Sequence, residues 1–151
     1  RIILHQGANV QDTCVMHGFP DTDTIIEKNG HIGHGAVLHG CIIRENALVG
    51  MNAVVMDGAI VGHSSIVAAM SFVKAGLEIP QRKLFAGSPA RFIRDLSDDE
   101  ISWKEKGTQD YQQLALRSFE SLKEVEALTE VEEGRARLNI SDSVPLFKTK
   151  T

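Results

Sequence analysis

Large aliphatic side chains recur at every sixth position through the middle of this chain, at Val49, Val55, Val61, Val67, Val73 and Ile79. A small residue stands four positions after most of them: Ala47, Ala53, Ala59, Ser65 and Ser71, counting from the repeat that opens at Ile43. A period of six fits neither a helix, at ~3.6, nor strand alternation, at ~2. It fits a coil with flat sides, one hexapeptide per side and three per turn, with the aliphatic pointing inward and the small residue easing the corner. The same register runs upstream through Leu4, Val10 and Met16, then Ile26, Ile32 and Leu38. Four residues are inserted between Met16 and Ile26, and one is missing between Leu38 and Ile43.

Such a pattern resembles the left-handed parallel β-helix of the hexapeptide-repeat superfamily. The expected organisation is a triangular β-helix over 1–80, a connecting loop over 81–96, a C-terminal helix over 97–125 and a charged tail over 126–151. Pro80 and Pro89 break the repeat, and Ser97 to Glu100 forms a capping box that opens the helix. Ile101, Trp103, Tyr111, Leu114, Leu116, Phe119 and Leu122 then make an apolar stripe expected to pack on the prism. The tail is expected to be partly disordered. The register begins part-way into a repeat at Arg1, so further N-terminal coils are expected ahead of it.

Composition narrows the remaining choices. The chain is 42% hydrophobic but only 5% aromatic, which suits a narrow aliphatic interior. A formal charge of -4 supplies no basic footprint for nucleic acid. No apolar run is long enough to span a bilayer, and no secretory signal opens the chain. Cys14 and Cys41 form neither a framework nor a CxxC pair, so they are expected as reduced thiols of a cytoplasmic protein.

The coil geometry assigns residues to faces. Side A, beginning at Leu4, carries His5, Glu27 and Arg44, followed by Lys28, Glu45 and His63, and is expected to face water. Side B carries Gln11, Gly33, Gly50 and Ala68, then Asp12, His34, Met51 and Ala69. Side C carries His17, His39, Met56 and Lys74. Apart from Gln11, Asp12 and His34 side B is nearly bare, and sides B and C, unlike A, are expected to form an interface.

Three histidines stand out. His17 and His39 occupy equivalent points of side C one coil apart, and stacked strands lie roughly 4.8 Å apart, so both rings can reach one ion. His34 lies round a corner on side B and joins them only if side B of one subunit meets side C of the next. A three-fold rotation closes that contact into a trimer with three sites. His5, His63 and His31 are expected as surface or corner residues.

The stretches NVQDTCVMHG, DTDT, NGHIGHGAVLHGC, ALVGMNAVVMDGA, SIVAAMSFVKAG and GSPARFIRDLSDDE resemble the γ-class carbonic anhydrase family, in particular its PaaY/CaiE branch. The resemblance implies a homotrimer with Zn2+ (or Fe2+ or Co2+) held by His17 and His39 of one subunit and His34 of the next. It implies that Gln11 orients the metal-bound water, that Asp12 belongs to an interfacial polar network, and that Tyr111 approaches from the C-terminal helix. The implied reaction is attack of a metal-bound hydroxide on carbon dioxide. Alternatives stay open: a thioesterase using the same centre on a CoA thioester, a metal-free hexapeptide acyltransferase with one catalytic histidine, or a structural trimer. The family's acidic loop with a glutamate proton shuttle has no counterpart in GFPDTDT, although Asp21, Asp23 and Glu27 follow His17.

Overall fold

The fold was obtained as a computed structural model that describes residues 1–135 and 146–148. It is a left-handed parallel β-solenoid followed by one long helix. Each full coil has three short strands, one per side. The first holds β1 (Ile2–Leu4), β2 (Asn9–Val10) and β3 (Val15–His17), and the second β4 (Thr24–Ile26), β5 (His31–Ile32) and β6 (Val37–His39). The third holds β7 (Ile42–Ile43), β8 (Leu48–Val49) and β9 (Val54–Val55), and the fourth β10 (Ile60–Val61), β11 (Ile66–Val67) and β12 (Phe72–Val73). A fifth begins with β13 (Glu78–Ile79) and β14 (Lys83–Ala86), and β15 (Arg91–Asp95) folds back on β14.

The strands stack into three sheets that match the three sides: β1-β4-β7-β10-β13 on side A, β2-β5-β8-β11-β14-β15 on side B, and β3-β6-β9-β12 on side C. The hexapeptide register therefore predicts the sheet partner of every strand from β1 to β13. Inside, Ile26, Ile32, Leu38, Ile43, Val49, Val55, Val61, Val67 and Val73 are fully buried and form one ladder. Burying each contributes about 1.5–3 kcal/mol. Ala47, Ala53, Ala59 and Ser65 fill the inside of the corners, also fully buried. Just before these small residues the chain turns through a left-handed residue, as at Asn46 (φ 59°), Asn52 (φ 54°) and Ser64 (φ 53°). Cys41 lies in the same core, where burial pushes its thiol up to about 12 and keeps it inert.

The bareness of side B has a cause within the chain. A Cβ on Gly33 would stand 2.9 Å from the amide nitrogen of Met51, and one on Gly50 would stand 2.4 Å from that of Ala69. Coil-on-coil stacking alone thus requires glycine at both positions. The segment 81–96, expected as a loop, instead carries the β14–β15 hairpin. Leu84 and Phe85 continue the stack onto Ile66 and Val67, because Phe85 stands six residues after Ile79 and so carries the hexapeptide register one side further into the core.

The helix α1 (Asp98–Ser121) opens with the expected capping box, Ser97 and Glu100 each closing on the other's backbone. It ends at Ser121, with Leu122 already extended, short of the expected 125. Its docking differs from the expected apolar stripe. Ile101 joins Leu96 and Ile66 in a small cluster, but Leu116, Phe119 and Leu122 are exposed. The docked face is Ile101, Lys104 and Thr108, with Gln112 beyond them. The reason is the surface that it meets: Lys104 Nζ donates to Asn29 O and Asn46 Oδ1, both at 2.7 Å, and Gln112 Nε2 donates to Gly7 O at 3.1 Å. The solenoid offers carbonyls and amides there, so donors dock better than leucines.

Residues 122–135 are exposed and lack helix or strand. The rest of the expected tail lies outside the described residues, apart from a short 3-10 turn at Leu146–Lys148. Among the described residues, no helix is long and apolar enough to cross a membrane.

Candidate metal centre

Strands β3 and β6 pair in parallel with His17 directly opposite His39. The rings stack at 4.8 Å between centroids with 23° between planes, and His17 Nδ1 lies 3.0 Å from His39 Nε2. Two imidazole nitrogens on one tetrahedral zinc stand roughly 3.3 Å apart, so the spacing of the pair suits a shared ion. His39 Nδ1 lies 2.6 Å from Asp57 Oδ1, the carboxylate-behind-histidine arrangement that fixes the tautomer of a ligand. Asp57 gains access through Gly40, where a Cβ would sit 2.9 Å from its carboxylate oxygen. Thr24, fully buried, braces the two coils: its hydroxyl donates to His17 O at 2.6 Å and accepts from the Gly40 amide at 2.9 Å. Phe19, on the inserted loop, stands edge-on to His39 with centroids 4.7 Å apart.

His34 has the same kind of support. Its Nδ1 lies 2.8 Å from Asp12 Oδ1, and Asp12 is held below the usual carboxylate range, first by its own backbone amide and then by His34. Within one chain the structure brings together His17 and His39 but adds no third ligand. Among the described residues, no group of three or more His, Cys, Asp or Glu side chains could hold an ion.

Gln11, His34 and Tyr111 share a groove of about 310 Å3 between side B and α1, walled by Met51, Trp103 and Ala69. Gln11 is fastened at both ends. Its Oε1 accepts from the His34 backbone amide at 3.1 Å, and its Nε2 lies 2.8 Å from His31 Nε2. His31, expected as a corner or surface residue, is only 8% exposed. Strand alternation turns it outward beside the inward Ile32, and α1 covers it through Thr108 (3.3 Å) and the Tyr111 ring (5.2 Å between centroids). Burial, then the charges of Lys104 and His34, push its pKa down to about 4. Sequence spacing could not reveal this cluster, because Thr108 and Tyr111 come from an element outside the repeat.

Two of the three carboxylates that follow His17 are engaged by arginines. Asp23 pairs with the Arg1 guanidinium, which holds its carboxyl down to about 2. Glu27 accepts from Arg44 at 2.6 Å.

A family model described as bacterial transferase hexapeptide (six repeats) matches residues 40–75. The carnitine operon protein CaiE of Salmonella agona is 58% identical over 138 residues, 91% of this chain and 70% of that protein. CaiE of Escherichia coli K12 matches equally, 58% over the same length. Among solved structures, a hexapeptide transferase family protein from Anaplasma phagocytophilum superposes with a TM-score of 0.72 and 37% identity, covering 76% of this chain and 67% of that one. A putative acetyltransferase from Bacillus cereus gives 0.74 and 34%, covering 78% and 67%. With a stack of hexapeptide coils, its closing helix and this degree of identity, the chain belongs to the hexapeptide-repeat transferase superfamily, in the family of the carnitine operon protein CaiE.

Proposed function

We propose that this chain is a trimeric, metal-dependent enzyme of the γ-class carbonic anhydrase type that hydrates carbon dioxide. The observation that carries the reading is the His17–His39 pair, 3.0 Å apart and backed by Asp57. His34, backed by Asp12, completes the ligand set from the neighbouring subunit when side B of one subunit meets side C of the next. A zinc ion held by these three histidines would supply an activated water, with a pKa lowered to about 7.

The chain's own residues supply the rest. Gln11 presents its remaining amide hydrogen and carbonyl lone pair to the groove and orients the attacking oxygen without titrating. Met51, Trp103 and Ala69 make the approach apolar, which favours an uncharged substrate such as carbon dioxide over bulk water. Water adds to the carbon and bicarbonate leaves with release of one proton. Asp23 and Glu27 are held by arginines and so do not carry that proton away, which slows turnover. The same groove and activated water suit hydrolysis of a CoA thioester, which an acyl-CoA assay separates from hydration.

A second reading is acyl transfer without metal, one histidine acting as base. The match to the transferase family model and the likeness to the putative acetyltransferase from Bacillus cereus favour it. Metal content decides between the two. Untagged protein is expected to hold one metal per chain in a particle of trimer mass, by elemental mass spectrometry and sedimentation. His34→Ala is expected to leave a folded trimer that has lost it. Unchanged metal in that variant sinks the shared site, and a trimer that refuses zinc moves the assignment to acyl transfer.

A further inference from the structure

We infer that His31 is a positioning residue that sets the orientation of the Gln11 amide, through a directed hydrogen-bond chain from the C-terminal helix to the candidate metal centre. The inference rests on the metal-site reading above for its catalytic meaning, but its geometry stands apart from it.

The chain is anchored on backbone at both ends, and this leaves one consistent direction. At the helix end, Thr108 Oγ1 donates its only proton to Lys104 O at 3.2 Å. Toward His31 Nδ1, 3.3 Å away, the hydroxyl can then only accept, so Nδ1 carries the hydrogen. In a neutral ring Nε2 is then an acceptor, and Gln11 Nε2 donates to it at 2.8 Å. At the far end Gln11 Oε1 accepts from the His34 amide at 3.1 Å. The flipped amide would set its NH2 against the His34 N–H, donor to donor, and forfeit that bond. Burial of the imidazole keeps it neutral. The Tyr111 ring, edge-on at 88°, fixes its plane.

Gln11 therefore owes its orientation, through His31, to Thr108 and Tyr111 of α1. The helix acts as a template for the amide as well as a cover for the prism.

The test uses the full chain labelled with 15N-histidine, with ring tautomers read from long-range proton–nitrogen correlations at pH 7. Wild-type His31 is expected as the neutral Nδ1–H form, and Thr108→Val is expected to shift it toward the Nε2–H form. An Nε2–H ring in the wild type, or an unmoved tautomer in Thr108→Val, overturns the inference. Kinetics supply the second arm. His31→Phe is expected to lower kcat between about ten- and a hundredfold, with KM and metal content unchanged. His31→Gln, which restores an acceptor for the Gln11 N–H, is expected to recover most of the loss. Equal loss in both variants rejects positioning in favour of simple packing. A wild type without turnover sinks the proposed function, and the tautomer still decides the hydrogen-bond chain.

Discussion

At the scale of single residues, the candidate centre depends on groups one step behind the histidines. Asp57 is the clearest, because its carboxylate meets His39 Nδ1 at 2.6 Å through the gap left by Gly40. Asp57→Asn keeps the volume but removes the charge that sets the ring. It is expected to weaken metal binding by roughly 10- to 100-fold, measured by competition with a chromophoric chelator, while the circular dichroism spectrum stays unchanged. The adjacency of His17 and His39 was legible from coil spacing alone, since equivalent positions one coil apart must stack. Asp57 was not: with one residue missing before Ile43 the coil equivalent of His39 is Met56, and Asp57, one place further on, reaches the ring only because Gly40 has no side chain in its way. His31 escaped for a different reason. Its partners on α1 lie 77 and 80 positions away in sequence, and no periodicity links a solenoid strand to a helix outside the repeat.

At the scale of elements, the docking of α1 runs against the hydrophobic rule. Lys104 is 3% exposed, and burial, only partly opposed by the charge of Glu105, brings its amine down to about 8. An unfolded lysine titrates near ~10.4. Between those values the unfolded chain binds more protons than the folded one, so this group makes stability rise with pH from about 8 to ~10.4 and contributes no slope below. Lys104→Met is expected to abolish that rise. It also leaves Asn29 O and Asn46 Oδ1 without their donor, so the urea midpoint at pH 7 is expected to fall by an equivalent of about 1–3 kcal/mol. Equal slopes in variant and wild type would show that the helix is held some other way. The sequence showed that a helix follows the solenoid and where its cap lies. It could not show which face docks, because the apolar stripe and the donor row run along the same helix and the acceptors opposite are main-chain atoms.

At the scale of the whole molecule, the proposed trimer would seat a neighbouring subunit on the open part of side B. Gly33 and Gly50 are glycine for stacking within the chain, and this leaves beside them a shallow surface edged by Met51 and Ala69. Ala69→Arg adds a long cation to that surface without touching the core. It is expected to turn a trimer into monomer at micromolar concentration, by sedimentation, with the β signal retained and metal lost in parallel. A trimer that survives with its metal would place the subunit contact on another face.

Solenoid coils touch only the coils above and below, so opening such a stack needs only one inter-coil seam to part. His17 and His39 lie on the two sides of one such seam, stitched by the β3–β6 pairing and by Thr24. Whatever binds both rings must be released before that seam can part, and by mass action it favours the closed form according to its own affinity. Amide hydrogen exchange across β3 and β6 thus becomes a gauge of ligand occupancy. A ligand gripped by both rings would at the same time rivet the scaffold.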